Sequence, residues 1–116
     1  MNYTDALTRF VKLLSERKVA SYAKDLAFST PPTYEIHEGR RYDKIVEVHA
    51  PQGDFVSRSS FCYIERATGN IMAGNWKGVT KPKVARGNIY NDANPLAGTN
   101  LYGTDYLRMD NSRFQL

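Results

Sequence analysis

The sequence predicts an α+β protein: an N-terminal helix packed on a curved antiparallel sheet of four or five strands, with an irregular C-terminal tail. Three observations predict it. Residues 4–27 carry apolar side chains at helical spacing and contain neither Gly nor Pro. Residues 33–75 break into short alternating stretches separated by turn residues. From residue 74 onward, Gly, Asn and Pro recur too often for long regular elements.

The helix comes first. Leu7, Phe10, Val11 and Leu14 form a stripe that Tyr22 and Leu26 continue less cleanly. Thr4 or Asn2 caps the start, and Asp5 sits in the first turn. Glu16-Arg17-Lys18 interrupts the apolar face, which marks a place for a kink. Pro31-Pro32 ends the helix, because proline lacks an N–H and pushes Thr30 toward extended geometry. The role expected of this helix is to cover one face of the sheet.

Residues 33–37 (TYEIH) read as a first strand, and Glu38-Gly39 as a turn. Residues 41–49 alternate: Tyr42, Val46 and Val48 share a face with the stem of Lys44, while Asp43, Glu47 and His49 lie opposite with Ile45. The first of these faces is expected to be buried and the second mostly wet. Residues 50–54 form a loop. In strand 55–65, Phe55, Ser57, Ser59, Phe61 and Tyr63 share one face, and Val56, Arg58, Ser60, Cys62 and Ile64 the other. Ala67-Thr68-Gly69-Asn70 is a strong turn with Gly69 at positive φ, and Ile71–Ala73 returns as a short strand. Residues 87–90 read as a short strand or a turn. The tail 91–116 is expected to be irregular, pinned to the core by Tyr102, Tyr106, Leu107 and Phe114.

Composition bounds the function classes. A chain of 116 residues is the length of one domain and can bury a core without staples. Its 41% apolar and 24% charged content argues against disorder. No apolar run approaches a membrane span, and Met1–Asp5 lacks a leader pattern. The single cysteine, Cys62, excludes an internal disulfide and a Cys-based zinc cluster. Together these point to a reducing, cytoplasmic location.

The net charge of +4 is local. Residues 74–90 contain Lys77, Lys81, Lys83 and Arg86 and no acid, whereas residues 1–73 have ten bases against nine acids. The same segment carries the only tryptophan, Trp76, and ends in Tyr90. Lys and Arg neutralise phosphates, and Trp and Tyr offer faces on which bases stack. The plainer reading gives the charge to solubility, Trp76 to packing and Lys81-Pro82-Lys83 to a solvated loop. Tyr42, Phe61 and Tyr63 would likewise serve the core sooner than a base.

Several short runs occur together: Gly39-Arg40-Arg41-Tyr42 with Ile45-Val46, Thr68-Gly69-Asn70-Ile71, Trp76-Lys77, Arg86–Tyr90 (RGNIY), and Tyr102-Gly103 with Tyr106-Leu107-Arg108. In this the chain resembles a group of small, mostly uncharacterised bacteriophage proteins over about residues 39–108. It departs from them at residues 78–84, where the group has a shorter Ala/Pro/Lys linker. The resemblance implies a viral origin, and hence the host-cell cytoplasm. It brings no catalytic residues.

Enzyme readings are weaker. His37 and His49 flank the first hairpin, and only Glu35 or Glu47 is at hand as a third metal ligand. Cys62 sits among apolar neighbours and reads as core, although His49 would be its base in a nucleophilic pair. No phosphate loop, dinucleotide fingerprint or HExxH motif is present. The expectation is therefore a non-catalytic protein without cofactor or metal. It binds nucleic acid, single-stranded DNA or RNA, through Arg58, Trp76, Lys77, Lys81, Lys83, Arg86 and Tyr90. The alternative is a phage inhibitor that occupies a host protein or sequesters a phosphorylated nucleotide, in a homo-oligomer that builds the pocket.

Overall fold

Helix α1 spans Tyr3–Asp25 in a computed structural model that describes residues 1–25, 30–52 and 55–105. Asn2 is the cap: its Oδ1 accepts the Asp5 N–H at 2.8 Å. Ala6, Leu7, Phe10 and Leu14 are buried, and the stripe runs on into Lys18. The helix is unbroken through Glu16-Arg17-Lys18 because Lys18 faces inward. Leu26, expected to extend the stripe, lies outside the described residues. Among the described residues, no helix is long and apolar enough to cross a membrane.

Five strands make the main sheet: β1 (Thr33–His37), β2 (Tyr42–Gln52), β3 (Phe55–Glu65), β4 (Asn70–Met72) and β7 (Ala85–Asn88), in that spatial order. Every neighbouring pair is antiparallel. Two short ribbons were not expected: β5 (Gly74–Asn75) with β6 (Gly78–Val79), and β8 (Thr99–Asn100) with β9 (Gly103–Thr104). β2 continues through Gln52, where the sequence reads as a loop; residues 53–54 lie outside the described set. The β3–β4 turn is as expected, with Gly69 at φ 79°.

α1 covers one face of this sheet. Phe10 and Leu14 meet Ile45, Cys62, Ile64 and Ile71 there, and full burial of each such side chain contributes about 1.5–3 kcal/mol. This is the face of Asp43 and Glu47, the one expected to be wet. The two carboxylates are buried because partners come with them. Asp43 accepts from Tyr3 Oη at 2.7 Å, Arg66 Nη1 at 2.8 Å and the Gly39 N–H at 3.1 Å. Glu47 pairs with Lys18 at 2.9 Å and accepts from Tyr34 Oη at 3.2 Å. A buried charge is tolerated when it is paired and hydrogen-bonded. The neighbouring carboxylates also push the Tyr3 and Tyr34 hydroxyls well above the usual tyrosine range, with burial as the larger cause.

The pairing of β3 also departs from simple alternation. Ile45 lies opposite Cys62, but Val46 lies opposite Ser60, so Phe61 is an extra residue in a bulge. The bulge puts both Phe61 and Cys62 into the helix-side core. It turns Arg58 and Ser60 to the face of Lys44 and Val46, with Tyr63. Phe61 packs edge-on to Tyr34, ring centroids 5.4 Å apart, and so serves the core.

The tail is held differently from the expectation. Tyr102 is 85% exposed, outside the core, and meets α1 through the Lys18 ammonium 5.4 Å from its ring centre; Tyr106, Leu107 and Phe114 lie outside the described residues. Leu96 packs on the core and Thr99 is buried instead. Helix cations reach across to the tail. Arg17 Nη2 donates to Thr99 Oγ1 at 3.1 Å and to the Asn100 carbonyl at 2.7 Å, and Lys18 donates to the Leu101 carbonyl. Arg9 bonds Asp92 at 2.9 Å and the Ile89 carbonyl at 3.0 Å.

Candidate nucleic-acid interface

The face of the sheet away from α1 carries the candidate site. β1 presents Glu35 and His37 there, β2 presents Tyr42 and Lys44, and β3 presents Arg58 and Tyr63. The β5–β6 ribbon folds over this face. Its two-residue turn is Trp76-Lys77, closed by Asn75, whose Oδ1 accepts the Lys77 and Gly78 N–H groups at 2.9 and 3.3 Å. Tyr63 Oη donates to the Asn75 carbonyl at 2.7 Å and anchors the ribbon. Lys44 Nζ donates to the Trp76 carbonyl at 2.7 Å and lies 3.9 Å from the centre of the indole ring. His37 approaches the same ring edge-on at 6.3 Å. Trp76 is still 48% exposed, so about half of the braced indole stays open to solvent.

The remaining expected residues divide into two groups. Lys77, Lys81 and Lys83 are exposed on the same ribbon and the loop that leaves it. The side chains of Lys77 and Lys83 have no hydrogen-bond or ion-pair partner among the described residues. Arg58, Arg86 and Tyr90 are committed elsewhere. Arg58 forms a two-pronged pair with Glu35, both bonds 3.1 Å. Arg58, and then His37 at 2.9 Å, hold the Glu35 carboxyl at about 2, far below its ordinary value. Arg86 donates to the Asp105 carbonyl, and its Nε is buried without a partner among the described residues. Tyr90 lies against Gly69 at the β3–β4 turn, away from the neighbours of Trp76.

No family model, curated protein or solved structure matches the chain. The chemistry of the site therefore rests on its own residues.

Lys44 and His37 belong to the site although the sequence assigned them elsewhere. Lys44 lines up with Tyr42 and Val46 by alternation, which shows its face but not the ribbon that covers it 32 residues later. His37 and His49 do not form the metal pair considered from the sequence. His37 is beside Trp76, while His49 lies 3.4 Å from Glu47 on the helix side. Among the described residues, no group of three metal-ligating side chains is formed. Cys62 is fully buried, and burial pushes its thiol far above the range in which a thiolate forms.

Proposed function

We propose that the protein binds single-stranded nucleic acid, without catalysis, through the β5–β6 ribbon and the sheet face beneath it. The observation that carries the reading is the half-exposed Trp76, braced by the Lys44 ammonium and followed by Lys77 and Lys83 in a stretch without acids. A base stacks on the open side of the indole, and the lysines take the phosphates on either side of it. One stacked base contributes about 1–3 kcal/mol, and a single strand matches an exposed ring better than a paired duplex does. Arg58, Arg86 and Tyr90 have structural duties and are not assigned to the interface.

The phosphorylated-nucleotide alternative needs an enclosed, cation-lined pocket. The cleft of about 400 Å³ between α1 and β2 has Lys18 in it, but that ammonium is already paired with Glu47. The test of the proposal is anisotropy of labelled single- and double-stranded oligonucleotides across a salt series. Two phosphate contacts, by Lys77 and Lys83, at ~0.7 each give a slope of about −1.4 in log K against log salt. Equal affinity for duplex and single strand, or a flat salt series, overturns the proposal.

A further inference from the structure

The two edges of the main sheet differ. At β7, residues 96–98 return along the strand so closely that a side chain at Gly87 would strike the Ala97 carbonyl. Gly98, at φ 89°, lies equally tight against the Arg86 carbonyl. That edge is covered. At β1, no strand beyond β2 pairs with it among the described residues. An uncovered edge presents a row of N–H and C=O groups ready for another strand. Ile36 sits on it, 38% exposed, and lines a groove of about 220 Å³ with Thr4, Leu7 and Thr8 of α1, closed at its polar end by the Asp43–Arg66 pair and Glu38.

We propose that the occupant is a second copy of this chain, adding its β1 antiparallel to this one about a two-fold axis through Ile36. The side chains select that register. With Ile36 opposite the partner's Ile36, Glu35 faces the partner's His37, and His37 faces the partner's Glu35. Apolar pairs, and pairs in which an imidazole and a carboxylate can hydrogen-bond, are favourable directly across an antiparallel seam. Centring the axis on Glu35 instead would set two carboxylates against each other, which is destabilising. In the favoured register each Ile36 enters the groove of the other copy, on the helix side of the sheet.

The assembly closes at two. Pairing at β1 leaves only the covered β7 edges at the ends of the joined sheet, so no filament grows. The joined sheet has both α1 helices on one face. Its opposite face carries both Trp76–Lys44 pairs side by side. The dimer stands on the edge geometry alone and does not depend on the nucleic-acid reading.

Size-exclusion chromatography with light scattering decides it. At about 100 µM, well above a ~1 µM Kd, the expected mass is twice 13.2 kDa. Ile36→Lys is expected to give a monomer with an unchanged far-ultraviolet circular dichroism spectrum, since the side chain is exposed in one copy, and with a lower Tm only by the amount that association had added. Ile36→Cys is expected to cross-link to its own copy under mild oxidation, because residues on the axis meet themselves. Thr33→Cys, away from the axis, is not, and fully buried Cys62 does not compete. A monomer at all concentrations overturns the proposal. A dimer that Ile36→Lys leaves intact, or an Ile36→Cys variant that fails to cross-link, overturns it as well.

Discussion

Replacing Lys18 by Met tests the inverted reading of the β2 faces most severely. The Lys18 and Glu47 side chains are only 6% and 9% exposed, and their charged atoms are 2.9 Å apart. Met fills much the same volume as the lysine stem but leaves the Glu47 carboxylate with only Tyr34 Oη and His49 as partners. Removing one member of a buried pair costs about 3–5 kcal/mol, because the other charge stays desolvated and uncompensated. Lys18 also bonds the Leu101 carbonyl, so the tail loosens too. At ~2.1 cal/mol/K per residue, 116 residues give ~0.24 kcal/mol per degree, so a loss of about 3 kcal/mol lowers Tm by ~12 °C. Glu47→Gln removes the other charge and keeps an acceptor for Tyr34. The double variant Lys18→Met/Glu47→Gln is therefore expected to recover about 2 kcal/mol relative to additivity. Urea denaturation of the four proteins measures this cycle. A Lys18→Met variant within ~1 kcal/mol of the parent, or strictly additive losses, would mean that Glu47 faces solvent and is not buried under α1.

Other outcomes follow from the same geometry. Trp76→Ala is expected to weaken single-strand binding about 10–100-fold, with little change in thermal stability, as read by anisotropy and circular dichroism. Lys77→Ala and Lys83→Ala are each expected to flatten the salt slope by ~0.7, while Arg58→Ala leaves it unchanged because Arg58 is spent on Glu35. The Glu35 carboxyl is held at about 2 against an ordinary 4.5, chiefly by Arg58. Its folded value is the lower one, so the stability it contributes is present above 4.5 and disappears as pH falls toward 2. NMR titration of Glu35 is expected to move up toward 4.5 in Arg58→Ala; an unmoved titration contradicts the pair. Gly98→Ala is expected to destabilise by more than ~1 kcal/mol in a urea melt, since φ 89° and the Arg86 carbonyl both oppose a side chain.

The helix, the strand alternation and the Gly69 turn were legible because each is a local pattern: a 3.6-residue stripe, a two-residue period and a positive-φ glycine. The buried side of the sheet was not. Alternation in β2 separates Tyr42 and Lys44 from Asp43 and Glu47, but says nothing of which set α1 covers. That choice is made by Tyr3, Lys18 and Arg66, which bring partners to the two carboxylates from other elements. The bulge at Phe61 leaves no mark in the sequence that separates it from regular alternation. Within the site, Trp76 and the acid-free lysines were visible as composition. Lys44 was not, because its contact with Trp76 depends on how the ribbon folds back. Arg58 and Arg86 were assigned to the interface because their partners, Glu35 and Asp105, lie 23 and 19 residues away.

Trp76 is the only tryptophan in the chain, so its emission reports on the proposed interface without a label. Titration with an unlabelled single strand, followed by intrinsic fluorescence, is the most direct test. Stacking of a base on the indole predicts saturable quenching that weakens with salt and is reduced in the Lys77→Ala/Lys83→Ala variant. Binding detected by anisotropy with Trp76 emission unchanged would contradict the assignment, and no binding at low salt would remove it altogether.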